Sequence, residues 1–231
     1  MWDLEAKQSG IPVWKTAGLA KPKALPTTMT LSLAAPEQMA EAAKATLAKL
    51  LKLKLGGPED LVRIEAVHRA RPDAKLIVDG NEGIDPAEFP RLAEAAADHG
   101  VVLIEQPFPA DNDDALLKRP GHIAICADES VHTASNIQAL AKKYDAINIK
   151  LDKAGGLTEA LKMLDEGRRC GLGVMIGCMV AGSLSMAPAL LLGASADLID
   201  LDGPLWLAED IANGLIYANG SVSPSRSELW G

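Results

Sequence analysis

Short apolar segments alternate with helical patterns along the chain. Eight segments of three to six residues are rich in apolar and β-branched side chains, as buried strands are; they are residues 28–33, 51–55, 75–78, 101–104, 123–126, 146–149, 174–176 and 197–201. The intervening stretches predict helices at residues 36–50, from 58 onward, at 86–99, 113–118, 134–144, 157–170 and 184–192, with one more at 2–9. Because most of these strands are apolar on both faces, we expect a parallel sheet covered by helices.

Eight successive strand–helix units predict an α/β fold of the (β/α)8 TIM-barrel type. An open doubly wound sheet is the alternative, but the glycine-rich GxGxxG turn expected after its first strand is missing. We therefore assign residues 28–231 to the barrel and residues 1–27 to a helix and a connector that lead into it.

Composition narrows the classes of protein that the chain can belong to. Its 231 residues are 48% hydrophobic, as in globular proteins, and only 3% aromatic, so the core must consist mainly of Ala, Leu, Ile and Val. The net charge is −8 and no basic stripe is present, which disfavours a nucleic-acid partner. The isolated cysteines Cys126, Cys170 and Cys178 are typical of a reducing cytoplasm.

One uncharged stretch, residues 174–196, is long enough to span a bilayer. Glycine, serine and proline residues interrupt it, however, so we interpret it as a buried strand, a loop and a buried helix, with no membrane partner.

Three carboxylates follow or end consecutive strands, where barrel enzymes carry their active sites. Asp79, Glu105 and Asp128 are spaced by 26 and 23 residues, one strand–helix unit each. Converging carboxylates repel one another unless a cation lies between them, and an all-oxygen set suits Mg²⁺. The alternative is that each acid caps the next helix, but three in succession favour a metal site.

Lysines lie on both sides of these carboxylates. Lys52 and Lys54 share one face of the second strand, and Lys150 ends the sixth strand, on the opposite side of an eight-stranded ring. Lysines on opposite sides of the ring can reach opposite faces of one carbon atom in a molecule bound between them. A lysine beside another cation has a lowered pKa and can act as a base, an arrangement that Lys52 and Lys54 offer. The alternative is a strand whose charged face lies in water.

The last two strands provide candidates for substrate binding. Asp200 and Asp202 share one face of the eighth strand, and a carboxylate pair without a metal can bind an ammonium group. The alternative is a loop and a cap before Gly203. Cys178 and Met179 follow the seventh strand and are assigned to the substrate-binding wall.

Together these residues resemble the enolase superfamily, in its muconate-lactonizing subgroup. The resemblance rests on KLK with Lys52 and Lys54, DGN with Asp79, EQP with Glu105, ADES with Asp128 and NIKLDKAGG with Lys150. DLDGP, with Asp200 and Asp202, resembles the DxD motif of dipeptide epimerases of the L-Ala-D/L-Glu type. Cys178, Met179 and Lys150 lie where the mandelate-racemase branch has its His–Asp pair, which disfavours that branch.

The resemblance implies a cytoplasmic, Mg²⁺-dependent isomerase that inverts the α-carbon of the second residue of a dipeptide. Mg²⁺ on the three carboxylates would bind the substrate carboxylate and stabilise an enediolate. Lys54 and Lys150 would each serve one face of the carbon, and Lys52 would tune Lys54. Asp200 and Asp202 would bind the α-ammonium group of the dipeptide.

Members of the family carry an N-terminal α+β capping domain that helps close the site. The resemblance therefore implies a barrel without this domain, and a wetter pocket weakens electrostatic interactions. Other reactions of the subgroup stay open: an N-acylamino-acid racemase, a cycloisomerase or an o-succinylbenzoate synthase. A truncated, non-catalytic metal-binding remnant and a homo-oligomer also stay open.

Overall fold

The computed structural model describes residues 1–118, 123–224 and 229–231. Its main sheet has eight parallel strands, which occur in the sheet in the same order as in the chain. They are β2 (Met29–Leu31), β3 (Leu50–Lys54), β4 (Lys75–Asp79), β5 (Val101–Glu105), β6 (Ala124–Ala127), β7 (Ala146–Lys150), β8 (Gly173–Gly177) and β9 (Leu198–Ile199). A small antiparallel sheet contains β1 (Leu25–Pro26), β10 (Ile216–Ala218) and β11 (Ser221–Ser223).

Helices connect the strands. They are α1 (Trp2–Ser9), α2 (Val13–Thr16), α3 (Pro36–Ala45), α4 (Asp60–Ala70), α5 (Phe89–Asp98), α6 (Ile137–Leu140), α7 (Leu151–Ala154), α8 (Leu157–Arg169) and α9 (Ser183–Leu192). Short 3-10 helices lie at Asp114–Lys118, Ala134–Asn136, Gly193–Ser195 and Gly203–Trp206. Within the described residues, none of the helices has the length and apolar character needed to cross a lipid bilayer.

The sheet curls until its first and last strands meet. The backbone N–H of Thr28, just before β2, donates to the carbonyl oxygen of Ile199 on β9 at 2.9 Å. The (β/α)8 barrel is therefore confirmed, and the open doubly wound alternative is wrong. Because all eight strands are parallel, their carboxyl ends form one mouth of the barrel.

Side chains on the strands alternate between two environments. Outward-facing Leu, Ile and Val pack against the helices in the larger core. Inside the barrel, an apolar layer contains Ile77, Leu103, Cys126, Ala146 and Met175. Two residues further along several of these strands, inward positions are charged or polar and still buried: Asp79, Glu105 and Asn148. The barrel is therefore closed by an apolar layer below a charged layer, which lies near the mouth.

Several elements differ from the sequence prediction. The helix predicted over residues 36–50 ends at Ala45, because Thr46 adopts extended backbone (φ −107°, ψ 149°). The Arg71 guanidinium binds the carbonyl oxygens of Ala43 in the last turn and of Thr46 and Ala48 beyond it. The helix predicted over 134–144 is a 3-10 turn followed by Ile137–Leu140 only. The small antiparallel sheet was not predicted, since its strands have two or three residues each.

Gly177 shows how tightly the upper interior is packed. A Cβ atom on Gly177 would lie 2.7 Å from Nδ2 of the buried Asn148, whereas one on Gly56 would meet only a terminal methyl group of the half-exposed Leu33. We therefore expect Gly177→Ala to lower the free energy of unfolding by about 1–3 kcal/mol through overpacking. The matched Gly56→Ala change should alter it by less than about 0.5 kcal/mol. Urea unfolding checks both values, and equal losses in the two variants would contradict this packing account.

Candidate active site

A cavity of about 750 Å³ opens at the carboxyl ends of the barrel strands. Eight of the ten predicted site residues line it: Lys52, Lys54, Asp128, Lys150, Cys178, Met179, Asp200 and Asp202. The remaining two, Asp79 and Glu105, are fully buried beside Lys52. The fold thus brings together every residue singled out in the sequence.

Five neighbouring strands present the key side chains in a fixed order. Lys54 ends β3, Asp79 ends β4 and Glu105 ends β5, and these three residues are direct register partners. Asp128 follows β6, and Lys150 ends β7. The order around the ring is therefore lysine, three carboxylates, lysine.

The Lys52 ammonium group lies at the centre of the charged layer. Its Nζ is 3.0 Å from Asp79 Oδ2, 2.7 Å from Glu105 Oε2 and 2.9 Å from Asp200 Oδ2, and only 3% of the side chain is exposed. Burial lowers the pKa of Lys52, but the carboxylates of Asp200, Glu105 and Asp79 outweigh that effect and raise it well above the usual value. Lys52 is therefore a permanent cation that links strands β3, β4, β5 and the end of β9.

Lys54 lies nearer the mouth, with 35% of its side chain exposed. Its Nζ donates to Asp79 Oδ2 at 2.7 Å and to Asn81 Oδ1 at 2.8 Å. This ammonium group therefore lies at one edge of the carboxylate cluster and is more exposed to the cavity than that of Lys52.

Asp128 binds two ammonium groups at the other edge. Lys150 Nζ lies 2.6 Å from its Oδ2, and Lys153 donates to its Oδ1 and its backbone carbonyl. Burial lowers the pKa of Lys150, but Asp128 and Glu105 outweigh it, so the pKa is raised. The sequence analysis missed Lys153 because it lies on α7, outside the strand spacing that identified the other lysines.

Glu105, like Asp79, is fully buried. Asn148 Nδ2, two residues before Lys150 on the same face of β7, donates to its Oε1 at 2.7 Å. Burial raises the pKa of Glu105; the Lys52 and Lys150 ammonium groups oppose this effect, and the Asp79 and Asp128 charges add to it. Asn148 was visible in the sequence as a polar residue on an apolar strand, but nothing there identified its partner.

The carboxylate oxygens of Asp79, Glu105 and Asp128 are ligands that suit a divalent cation, although the three side chains are not arranged around a common centre. Among the described residues, Lys52 is the one close partner of Glu105 Oε2, so this buried oxygen retains free lone pairs. Asp79 and Glu105 face Lys52, while Asp128 faces Lys150 and Lys153. No group of three His, Cys, Asp or Glu side chains in the described ranges is arranged to hold a metal ion. The magnesium site stays a prediction.

Asp200 and Asp202 follow β9, which ends at Ile199, so the prediction that they share one face of this strand is wrong. The two aspartates have different surroundings. Asp200 accepts from Lys52 and from the Thr28 hydroxyl, so its charge is neutralised. Asp202 accepts from the Thr30 N–H at 2.7 Å and from Trp206 Nε1 at 3.3 Å. No ion pair joins Asp202 to a lysine or arginine among the described residues. Burial and then the Asp200 charge raise the pKa of Asp202, so this carboxylate lacks a cation.

Cys178 and Met179 form part of the cavity wall. Burial raises the pKa of the Cys178 thiol to about 12, so the thiol is neutral at physiological pH and provides no thiolate nucleophile. Met179 is half exposed at the mouth. Their assignment to substrate binding stays a prediction.

The charged layer makes a direct prediction about stability. Lys52→Met leaves three buried carboxylates without their shared cation, so we expect a loss of about 3–5 kcal/mol in the free energy of unfolding. Lys49→Met removes a lysine that pairs with Asp73 on the surface and should cost less than about 1 kcal/mol. Denaturant unfolding compares them, and a Lys52→Met variant as stable as Lys49→Met would show that the cluster does not depend on this ammonium group.

Comparison with known proteins agrees with this geometry. Residues 34–227 match the model of the enolase C-terminal domain-like family. An L-Ala-D/L-Glu epimerase from Escherichia coli is 41% identical over 96% of this chain and 70% of its own length. An N-acetyl-D-glutamate racemase from a Pseudoalteromonas species is also 41% identical, over 100% of this chain and 73% of its own.

A solved structure extends the likeness to three dimensions. It is an enolase family member from Agrobacterium tumefaciens with homology to dipeptide epimerases, crystallised with sodium and L-Ala-L-Glu. It superposes with a TM-score of 0.96 at 46% identity, over 100% of this chain and 71% of that one. The chain therefore belongs to the enolase C-terminal domain-like family, and it is an isomerase similar to the racemases and epimerases of that family.

Proposed function

We propose that the chain inverts the α-carbon of the second residue of a dipeptide, of the Ala-Glu type, by a 1,1-proton transfer. The observation that carries the proposal is the ring order of the mouth: Lys54, the carboxylates Asp79, Glu105 and Asp128, and then Lys150. Both lysines reach one cavity from strands β3 and β7, which are opposite in an eight-stranded ring.

A second pair of opposite strands supports the placement of the substrate. Strand β5, with Glu105, lies across the ring from β9, which leads into Asp202. A dipeptide with its carboxylate toward Glu105 and its ammonium group toward Asp202 crosses the line that joins the two lysines. Two extended residues span at most about 7 Å, so the second α-carbon would lie close to the carboxylate side, between Lys54 and Lys150.

Asp79, Glu105 and Asp128 are the residues that would hold Mg²⁺. When bound there, the ion would withdraw charge from the substrate carboxylate and so make the α-proton more acidic. Their all-oxygen donors, their burial and the free lone pairs of Glu105 Oε2 support this assignment.

The two lysines would exchange protons with opposite faces of the α-carbon. One lysine, as the neutral amine, removes the proton from its own face and leaves an enediolate. The other, as the ammonium, then donates a proton to the opposite face, so the configuration inverts. Lys52 remains protonated throughout, since three carboxylates hold its proton.

Asp202 would bind the α-ammonium group of the dipeptide. It lines the cavity, is buried and has no cation among its described partners, whereas Asp200 is already paired with Lys52. This assignment refines the expectation that both aspartates bind the ammonium group. Asp200 instead holds Lys52 in place.

One alternative substrate class has support of its own. The similarity to an N-acetyl-D-glutamate racemase favours an N-acylated amino acid. Such a substrate has no α-ammonium group and would leave the buried Asp202 charge without a partner. The environment of Asp202 therefore favours the free dipeptide.

The two-lysine mechanism predicts different losses for inversion and for proton exchange. Lys54→Met and Lys150→Met should each abolish epimerisation of L-Ala-L-Glu, because inversion needs both faces. Each variant should still exchange the α-proton of one epimer with D₂O, since the remaining lysine can remove and return a proton on its own face. ¹H NMR follows both reactions, with the surface variant Lys49→Met as the control. Epimerisation at the wild-type rate in both single variants would disprove the mechanism.

If Asp202 binds the α-ammonium group of the dipeptide, replacing it should slow turnover only of substrates in which that group is free. Asp202→Asn should lower kcat/KM for L-Ala-L-Glu about ten- to a hundredfold, because a charge-assisted contact is lost. With N-acetyl-L-Ala-L-Glu, the wild type and the variant should differ by less than about twofold, because this substrate cannot form the contact. Full activity on N-acylated substrates, with none on free dipeptides, would instead identify an N-acylamino-acid racemase.

A further inference from the structure

Gln106 follows Glu105 directly and is fully buried, but it is not among the residues that line the cavity. Its φ of 32° lies in the left-handed region, which residues other than glycine seldom adopt. Asn81 and Glu82, just after Asp79, also have positive φ values. The chain is therefore bent unfavourably just after two of the three predicted metal ligands, and the surrounding contacts must hold these bends in place.

The Gln106 carboxamide binds the turn that carries the third predicted ligand. Its Oε1 accepts from the backbone N–H of Asp128 at 2.8 Å and from that of Ser130 at 3.2 Å. Its Nε2 lies within hydrogen-bond distance of three acceptors, which share its two N–H groups: the Phe108 carbonyl at 2.8 Å, the Ser130 hydroxyl at 2.8 Å and the Tyr144 hydroxyl at 3.0 Å. One side chain thus links the end of β5 to the turn after β6.

The acceptors around Nε2 fix which way the amide faces, and the Phe108 carbonyl is sufficient by itself because it can only accept. Tyr144 donates its hydroxyl proton to Asp113 Oδ2 at 2.7 Å, and Lys143 pairs with the same carboxylate. The Tyr144 oxygen is therefore a second acceptor for the amide nitrogen, beside the Phe108 carbonyl. The amide oxygen must then face the Asp128 N–H.

We propose that Gln106 is a positioning residue for the carboxylate cluster, which sets the distance and direction of Asp128 relative to Glu105. Gln106 acts through the backbone, because its amide oxygen accepts from the N–H of Asp128. The two carboxylate oxygens of Asp128 remain bound to Lys150 and Lys153. The inference rests on the proposed metal site, because the position that Gln106 gives Asp128 affects metal binding only if Asp128 and Glu105 bind the same cation.

The test measures metal affinity rather than turnover. Mn²⁺ binds oxygen sites as Mg²⁺ does. The concentration of free Mn²⁺ is measured by electron paramagnetic resonance while the whole chain is titrated with the ion. Gln106→Met keeps the length of the side chain and removes all five hydrogen bonds, so we expect Mn²⁺ to bind about tenfold more weakly or worse. If that variant does not fold, Gln106→Asn, which is too short to reach the Asp128 N–H, should give the same result.

Tyr144→Phe is the matched control. It removes a buried hydroxyl from the same network but leaves the contact between Gln106 and Asp128 intact. Tyr144→Phe and Gln106→Met should both lower Tm, while Tyr144→Phe keeps its Mn²⁺ affinity within about twofold of the wild type.

Three results would overturn the inference, and they have different meanings. Wild-type affinity in the Gln106 variants would make Gln106 a structural residue only. An equal loss of affinity in Tyr144→Phe would assign the effect to general destabilisation. Failure of the wild-type chain to bind Mn²⁺ would refute the proposed metal site, and this inference with it.

Discussion

The burial of charge inside the barrel is the constraint on which the rest of the structure depends. Asp79, Glu105 and Asp200 have lost almost all contact with water, and Lys52 lies among them. A buried charge without a partner is very unfavourable, and even a buried pair requires precise geometry to recover its desolvation cost. The charges are therefore compatible with folding only if their strands line one closed ring and point these side chains into its interior, which the parallel barrel provides.

The same constraint prepares the site for chemistry. Each charged group is held by the fold before a substrate arrives, so little reorganisation is needed when charge develops on the substrate. The three cations all border the cavity but are not equivalent: Lys52 contacts three carboxylates, whereas Lys54 and Lys150 lie at the two edges of the cluster and contact one each. Structural and proposed catalytic lysines thus differ in position rather than in residue type.

The sequence predicted the fold well because the relevant signals are local. The apolar pattern of a strand shows that it is buried, and the carboxyl ends of parallel strands meet at one mouth of a barrel. The sequence alone therefore predicted that Asp79, Glu105, Asp128, Lys54 and Lys150 lie near one another. The contacts that orient them were not predictable in this way. Thr28 and Lys52 both donate hydrogen bonds to Asp200, although they lie 172 and 148 positions before it in the sequence. Lys153 and Gln106 act through a short helix and a backbone turn, for which spacing along strands provides no signal.

The central claim is that the chain transfers a proton at the second α-carbon of a dipeptide. The most direct measurement incubates the wild-type chain with L-Ala-L-Glu and Mg²⁺ in D₂O and follows the α-protons of both residues by ¹H NMR. The account predicts that deuterium enters only at the glutamate α-carbon and that L-Ala-D-Glu forms with deuterium at that carbon. Exchange at the alanine α-carbon, or at neither carbon, would contradict it.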